Sequence, residues 1–437
     1  MIKIALWIFL ILSANVLMPS SIINIDLRDG REILNGLGII MLLIVYLTRG
    51  VTLYEWPSRS PLLPLKPKLP TILAIFWGWA VVMSLARYNS QYSYVTLANI
   101  SLYMILFWIT MQALQEMADI NKTLNVICIG ALIQIVWCIM QKFGIDMSIS
   151  LGSFKYAFML KPEHAASYIG QPAGALGSVN GLSAYLAMAF PAFLRHTAIF
   201  KWRKLKWLKW WCLTPLLLWP FWHAHTRAGF IALIIGVVFM FVFMKINWKI
   251  KIAGVLIVAG VLTFYVQNKV DGSWNSIINN SRWQTSKLAY HLAEHTKVVY
   301  DKIYITNEPN LKESIIGQGL GQFRALFPPT SMAYLGVSSR PEHFAQLHND
   351  PFQVKYELGD IGFGMVYAFI IMLGVIFAIR LKKSQTALII SAAVLIIVIN
   401  SHVNFLFHTP GLAPLAIIYL AMFVKLPRNS YKGGDIL

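Results

Sequence analysis

Long apolar runs recur from one end of this chain to the other, and they constrain the fold before any single residue is considered. A hydrocarbon core about 30 Å thick takes roughly 20 apolar residues of helix to cross. Runs near that length cover approximately 1–19, 33–49, 70–87, 95–115, 121–142, 181–199, 211–224, 227–245, 251–267, 359–380, 385–404 and 410–425. In lipid each segment has to satisfy its own backbone N–H and C=O groups, so these runs predict helices. They are continuous rather than alternating, which excludes barrel strands. The expectation is an all-α polytopic membrane protein of about 12 transmembrane helices, one domain over 1–437. With 57% of its residues hydrophobic and 13% charged, the chain lies outside the range of soluble globular domains.

The net charge of +19 would suggest nucleic acid in a soluble protein, but here much of it sits in short loops between apolar runs. Arg195, Lys201, Arg203, Lys204, Lys206 and Lys209 form one cluster; Lys245, Lys249 and Lys251 form another. Arg380, Lys382 and Lys383 follow, then Lys425, Arg428 and Lys432. Alternating spans put all four clusters on one face, with Lys3, Lys66, Lys68 and Lys122, and that face is expected to be cytoplasmic. No nucleic-acid partner is implied. The first run lacks a small-residue cleavage site and is expected to stay as a span. Cys128, Cys138 and Cys212 lie in or beside apolar runs, so no disulfide framework is expected. Two long segments, 143–180 and 268–358, fall on the opposite face.

The outward face carries the polar residues suited to chemistry, in those segments and at the outer ends of spans. Gly177–Pro191, GSVNGLSAYLAMAFP, offers small residues for close helix packing, with Asn180 as N-cap. His225-Thr226-Arg227 stands at the outer end of two spans, where Arg227 runs against the local charge bias and its guanidinium fork suits phosphate oxygens. Arg282 opens a stretch, Gln284–Lys297, with the pattern of an amphipathic helix lying on the outer leaflet. Gly317, Gly319 and Gly321 alternate in IIGQGLGQF. No strand clearly precedes them and the following helix pattern ends at Pro328-Pro329, so a dinucleotide loop is rejected. A tight turn bringing backbone close to a phosphate or a helix is expected instead. RPEHFAQLHNDPFQVKYELGDI carries His343 and His348, then Asn349, Asp350 as N-cap, and Glu357 nearer the membrane surface. A neutral imidazole at His348 is suited to accepting a proton from a hydroxyl. The five-residue spacing of the histidines does not match a zinc helix, and no metal or other cofactor is expected.

Taken in order, GSVNGLSAYLAMAFP, HTRAGFIAL, SRWQTSKLA, IIGQGLGQF and HNDPFQVKYELGDIG resemble the O-antigen ligase and Wzy-type polymerase superfamily of bacterial inner-membrane glycosyltransferases. The resemblance covers roughly 170–380, with 181–380 as the ligase/polymerase-like core and 268–358 as a large periplasmic loop. It implies a GT-C-type helical architecture and inverting, metal-independent transfer of a glycan from undecaprenyl diphosphate to an acceptor hydroxyl at the periplasmic face. It assigns the general base to His348 and diphosphate binding to Arg227 and Arg282, with Asn349, Asn180, Gly319 and Glu357 in support. The family's Ser-Arg-Gly reads Thr226-Arg227-Ala228 here, and its Asn-Pro-Asn reads Ser178-Val179-Asn180.

Within that resemblance the leading expectation is an O-antigen ligase with lipid A-core as acceptor. A Wzy-type polymerase would use a second lipid-linked glycan instead, and a protein O-oligosaccharyltransferase would use a protein hydroxyl. A twelve-span transporter or flippase is the alternative from another class; it would show repeat symmetry between halves and charges within spans, and neither is evident.

Overall fold

The computed structural model describes residues 2–15, 27–48, 68–87, 91–143, 174–176, 178–195, 226–243, 281–299, 302–306, 308–335, 347–380, 385–404 and 406–426, with isolated positions between 216 and 223 and between 247 and 263. Among the described residues ten apolar helices form the body. In chain order they begin with α1 (Ile2–Asn15), α2 (Leu27–Leu47), α3 (Lys68–Ala86), α4 (Gln91–Ala113) and α5 (Met117–Lys142). After these come α6 (Val179–Arg195) and α7 (Arg227–Phe243) and, past a polar insertion, α11 (Asp350–Arg380), α12 (Gln385–Val403) and α13 (Ala413–Lys425). Four of them, Gln91–Ala113, Met117–Lys142, Asp350–Ala378 and Thr386–Val403, are long and apolar enough to cross a bilayer; the apolar stretches of the other six, Glu32–Leu47 in α2 and Thr71–Ala86 in α3 among them, are shorter. The chain is a helical, membrane-embedded protein. The expected spans 211–224 and 251–267 lie largely outside the described residues, as do most of 143–180 and Cys212.

Helix α6 is the centre. Every residue from Gly181 to Phe193 is buried, and the helix packs against α5, α7 and α12. Its small side chains explain the fit, because lipid gives helices little hydrophobic reason to associate and close approach has to supply the dispersion energy. A Cβ on Gly229 of α7 would overlap the Ser183 side chain, and one on Gly236 would stand 2.5 Å from Cδ1 of Ile396 in α12. At the periphery, α1 and α5 run parallel. Lys3 Nζ meets Asp119 Oδ2 at 2.7 Å at one end, and Gln134 Nε2 donates to the Ala14 carbonyl at 2.8 Å at the other. Helices α2 and α3 leave large apolar side chains such as Met41 and Leu85 exposed, as expected of a lipid-facing surface.

The insertion between α7 and α11 folds into its own layer. It contains α8 (Ser281–His295), a hairpin of β1 (Thr296–Val299) and β2 (Lys302–Ile305), α9 (Leu311–Ile316) and α10 (Phe323–Leu335). The antiparallel hairpin pairs Thr296 with Ile305 and Val299 with Lys302; it is the one departure from all-α among the described residues. A small separate core of Ala289, Leu292, Ala293, Phe323, Phe327 and Tyr356 joins this layer to α11.

Two expectations are corrected here. Helix α8 does not keep its apolar face free for a leaflet: its Ala289, Leu292 and Ala293 face is buried in that core and it packs on α11. Nor does the helix after the glycines stop at Pro328-Pro329, since α10 passes through both. Phe323 and Phe327 stack at 4.6 Å and meet the Tyr356 ring edge-on, while Thr330 Oγ1 donates to the Leu326 carbonyl at 2.6 Å. Aromatic burial on that face outweighs the cost of about 3 kcal/mol for each interior proline.

Candidate functional site

The polar corner at the start of α11 is assembled by side chains reaching back to the chain. Asn349 is the N-cap: its Oδ1 accepts the Phe352 N–H at 3.0 Å, and its Nδ2 donates to the His402 carbonyl at 2.8 Å. This corrects the assignment of the cap to Asp350. Asp350 turns instead toward the α12–α13 connection, where its carboxylate accepts the Phe407 N–H at 3.1 Å and meets His408 Nδ1 at 3.0 Å. A similar ambiguity, of two positions, arises at α6, where Ser178 rather than Asn180 caps: Ser178 Oγ accepts the Gly181 N–H at 3.3 Å.

His408 is held in one tautomer by its surroundings. Gln353 Oε1 accepts the Leu347 N–H at 3.0 Å, which fixes the amide orientation. Both hydrogens of Gln353 Nε2 are then directed away, one to Glu357 Oε1 at 3.1 Å and one to His408 Nε2 at 3.2 Å. His408 Nε2 therefore accepts, and its Nδ1–H donates to Asp350.

Glu357 closes the chain of contacts. Its buried carboxylate also accepts the Gly321 N–H at 2.9 Å and the Phe323 N–H at 3.4 Å. Gly359 breaks α11 just beyond, with φ 66° and ψ −165°, and so releases the carbonyls of the preceding turn. The glycine run takes them up: Gln318 N–H donates to the Tyr356 carbonyl and Gly319 N–H to the Glu357 carbonyl, each at 2.9 Å. Gly317, Gly319 and Gly321 all hold positive φ, and a Cβ on Gly317 would stand 2.5 Å from the Glu357 carbonyl oxygen. Of the two expected partners for this turn, it is a helix whose backbone the glycines approach, and three of the loop's amides and the first of α10 are already used on α11. The loop is tied on its other side to the α3–α4 corner, where Arg87 forks onto Glu313 at 2.7 and 3.2 Å and Ser93 Oγ donates to the Leu320 carbonyl at 2.7 Å.

Beside this corner is a cavity of about 870 Å³ between α2, α3, α4, α11, α12 and α13. One end is polar, with Glu32, Gln91, Tyr92, Arg324, Asp350 and His408 in its wall; the rest is lined by side chains such as Phe107, Phe369, Leu373 and Leu420. His348 is half-buried in the bend before α11, and the cavity wall begins two residues on, at Asp350. Its neighbours Leu347, Asn349 and Asp350 are pinned as described, so the bend is held from both sides.

The backbone puts Arg227 at the first residue of α7, near Asn180: Gly229 abuts Ser183, three residues after Asn180 in α6. Arg282 is the second residue of α8. The side chains of both arginines, and the whole of His225 and His343, lie outside the described residues. Glu357 and Gly319 act as structural clamps within the site. His408, Gln353 and Arg324 were not singled out by the sequence. His408 stands 58 positions from its carboxylate partner, with no local pattern to mark it; Arg324 had one weak sign, a cation just after the glycine turn. Among the described residues no group of three or more His, Cys, Asp or Glu is placed to hold a metal ion. The chain matches no protein-family model and no curated protein.

Proposed function

We propose that this protein is an inverting glycosyltransferase of the bacterial inner membrane, built on twelve spans with its site toward the periplasm. It moves a glycan from undecaprenyl diphosphate to an acceptor hydroxyl, as an O-antigen ligase using lipid A-core. The observation carrying this reading is the two-ended cavity beside the His348–Asn349–Asp350 bend, polar at one end and hydrocarbon-lined along the rest. A diphosphate on a long apolar chain has that same polarity.

In the proposed reaction the acceptor oxygen attacks the anomeric carbon as the bond from that carbon to the diphosphate oxygen breaks. His348 takes the acceptor's proton, and the lipid diphosphate leaves as an anion. Arg227 and Arg282 meet the charge that develops on it, the kind of fixed electrostatic stabilisation worth several kcal/mol in a site that excludes water. The pinned bend around His348 contributes by holding the base in one place.

The test is a deletion strain and its lipopolysaccharide ladder. A ligase deletion loses all capped species while carrier-linked polymer remains; a single repeat unit left on the core means a Wzy-type polymerase; an unchanged ladder removes the reading. Complementation by His348→Ala is expected to fail, with transfer reduced on the order of 100-fold or more for loss of a general base. Arg227→Lys and Arg282→Lys are expected to restore transfer only in part, because the planar two-point contact is lost.

A further inference from the structure

The cavity is open at its side. Ile33, Leu37 and Ile40 on α2 and Val95 on α4 line it, yet remain 47%, 53%, 45% and 52% exposed. The three on α2 share one helical face, by their spacing of four and three. Apolar side chains that both line a cavity and stay uncovered at mid-helix mark a gap facing hydrocarbon. At the polar end stands Arg324, the only lysine or arginine among the described lining residues. It is exposed, its guanidinium lies 4.9 Å from the centre of the Tyr92 ring, and it has no carboxylate partner among the described residues.

The other charges nearby are already engaged. Arg87 is bound by Glu313, and Glu357 accepts two amides and Gln353. Asp350 accepts Phe407 N–H and His408, and Glu32 accepts Asn99 Nδ2 at 3.3 Å. The guanidinium is thus left over a hydrocarbon-lined space, steadied by an aromatic face. A planar cation in that position suits phosphate oxygens bound at two points.

We propose that a phosphate-bearing lipid enters this cavity from the bilayer between α2 and α3, which both pack on α4 but scarcely on each other and line the cavity with Ile33 and Leu37 on one side and Ile72 and Phe76 on the other, and that Arg324 anchors its phosphate. The identity of the lipid as a polyprenyl diphosphate rests on the transfer reading above; the portal and the anchor do not.

The test uses the full chain in detergent and measures retention of three probes by native mass spectrometry: a C55 polyprenyl diphosphate, the uncharged C55 polyprenol and phosphatidylglycerol. Wild type is expected to hold the diphosphate more than about tenfold tighter than the polyprenol, the margin of one charged two-point contact. Arg324→Gln is expected to lose that margin while still binding polyprenol, and Arg324→Lys to recover part of it. Leu37→Trp, which fills the opening, is expected to weaken both polyprenyl probes. An unchanged thermal midpoint in each variant shows that the fold is intact. Diphosphate binding by Arg324→Gln at the wild-type level overturns the anchor, and unaltered binding by Leu37→Trp overturns the portal. Phosphatidylglycerol held as tightly as the diphosphate overturns the carrier assignment. Arg324-dependent binding in a preparation that transfers no glycan sinks the transfer reading and leaves the anchor standing; transfer without that dependence does the reverse.

Discussion

Glu357 shows at residue scale how a charge inside an apolar body becomes structural. Its carboxylate is the common acceptor for Gly321 N–H, Phe323 N–H and Gln353 Nε2. Replacing it with Ala strands three buried donors, at about 1–3 kcal/mol each. Glu357→Ala is expected to lower the unfolding midpoint by several degrees, read by a thiol-reactive dye on the buried Cys128 and Cys138 in a Cys212→Ser background. Glu357→Gln is expected to fall between, since one amide oxygen remains to accept. The sequence shows a Glu near a membrane surface; it does not show that two of its three partners sit more than thirty positions upstream. Cap positions failed for a different reason. Asn349 and Asp350 are both competent, as are Ser178 and Asn180, and only the surrounding contacts choose between them. Away from the spans, burial and then the neighbouring His295 hold the His291 pKa below the usual 6.5, with Glu294 opposing. The folded chain then binds fewer protons at this position than the unfolded chain as pH falls through that value, so acid costs stability. His291→Gln is expected to flatten the decline in unfolding midpoint between pH about 7.5 and about 5.5, the window around that value.

At the scale of elements, α11 carries the junction between bilayer and loop layer. The apolar run from 359 was legible because hydrophobic length needs no tertiary information. A helix start before it was also legible, with its cap misplaced at Asp350; what was not legible is that Asn349, Asp350 and Gln353 tie these turns to His402, Phe407 and His408, more than fifty positions away. Gly359 divides the two arms with a backbone angle that side chains disfavour, and any Cβ there would collide with the Ile315 carbonyl. Gly364, five residues on, has nothing within 4 Å of a built Cβ. Gly359→Ala is therefore expected to destabilise by a few kcal/mol, whereas Gly364→Ala should be neutral or slightly stabilising in a helix interior. Paired thermal midpoints of the two variants check this. A larger loss from Gly364→Ala would mean that the break is not where the strain lies.

For the whole molecule, the order of apolar runs gave the body of the fold, because the bilayer leaves helices as the main solution for such runs. What it could not give is the pairing of segments. The ends of α2, α3, α4, α11 and α12 meet around one cavity through contacts such as Asn35 Nδ2 to the Pro410 carbonyl, 375 positions apart. The proposed function puts that end at the periplasmic face. A cysteine at the exposed Leu311 is then expected to react with an impermeant maleimide in intact spheroplasts, and one at Thr48 only after permeabilisation. The opposite pattern would invert the protein in the membrane.

The gap between α2 and α3 has one more consequence. A site filled from the side meets its ligand in two dimensions, so the quantity that governs occupancy is the mole fraction of that lipid in the surrounding leaflet, not its molarity. Diluting the protein into micelles would then starve it without altering a single contact, and enriching the micelle would restore it.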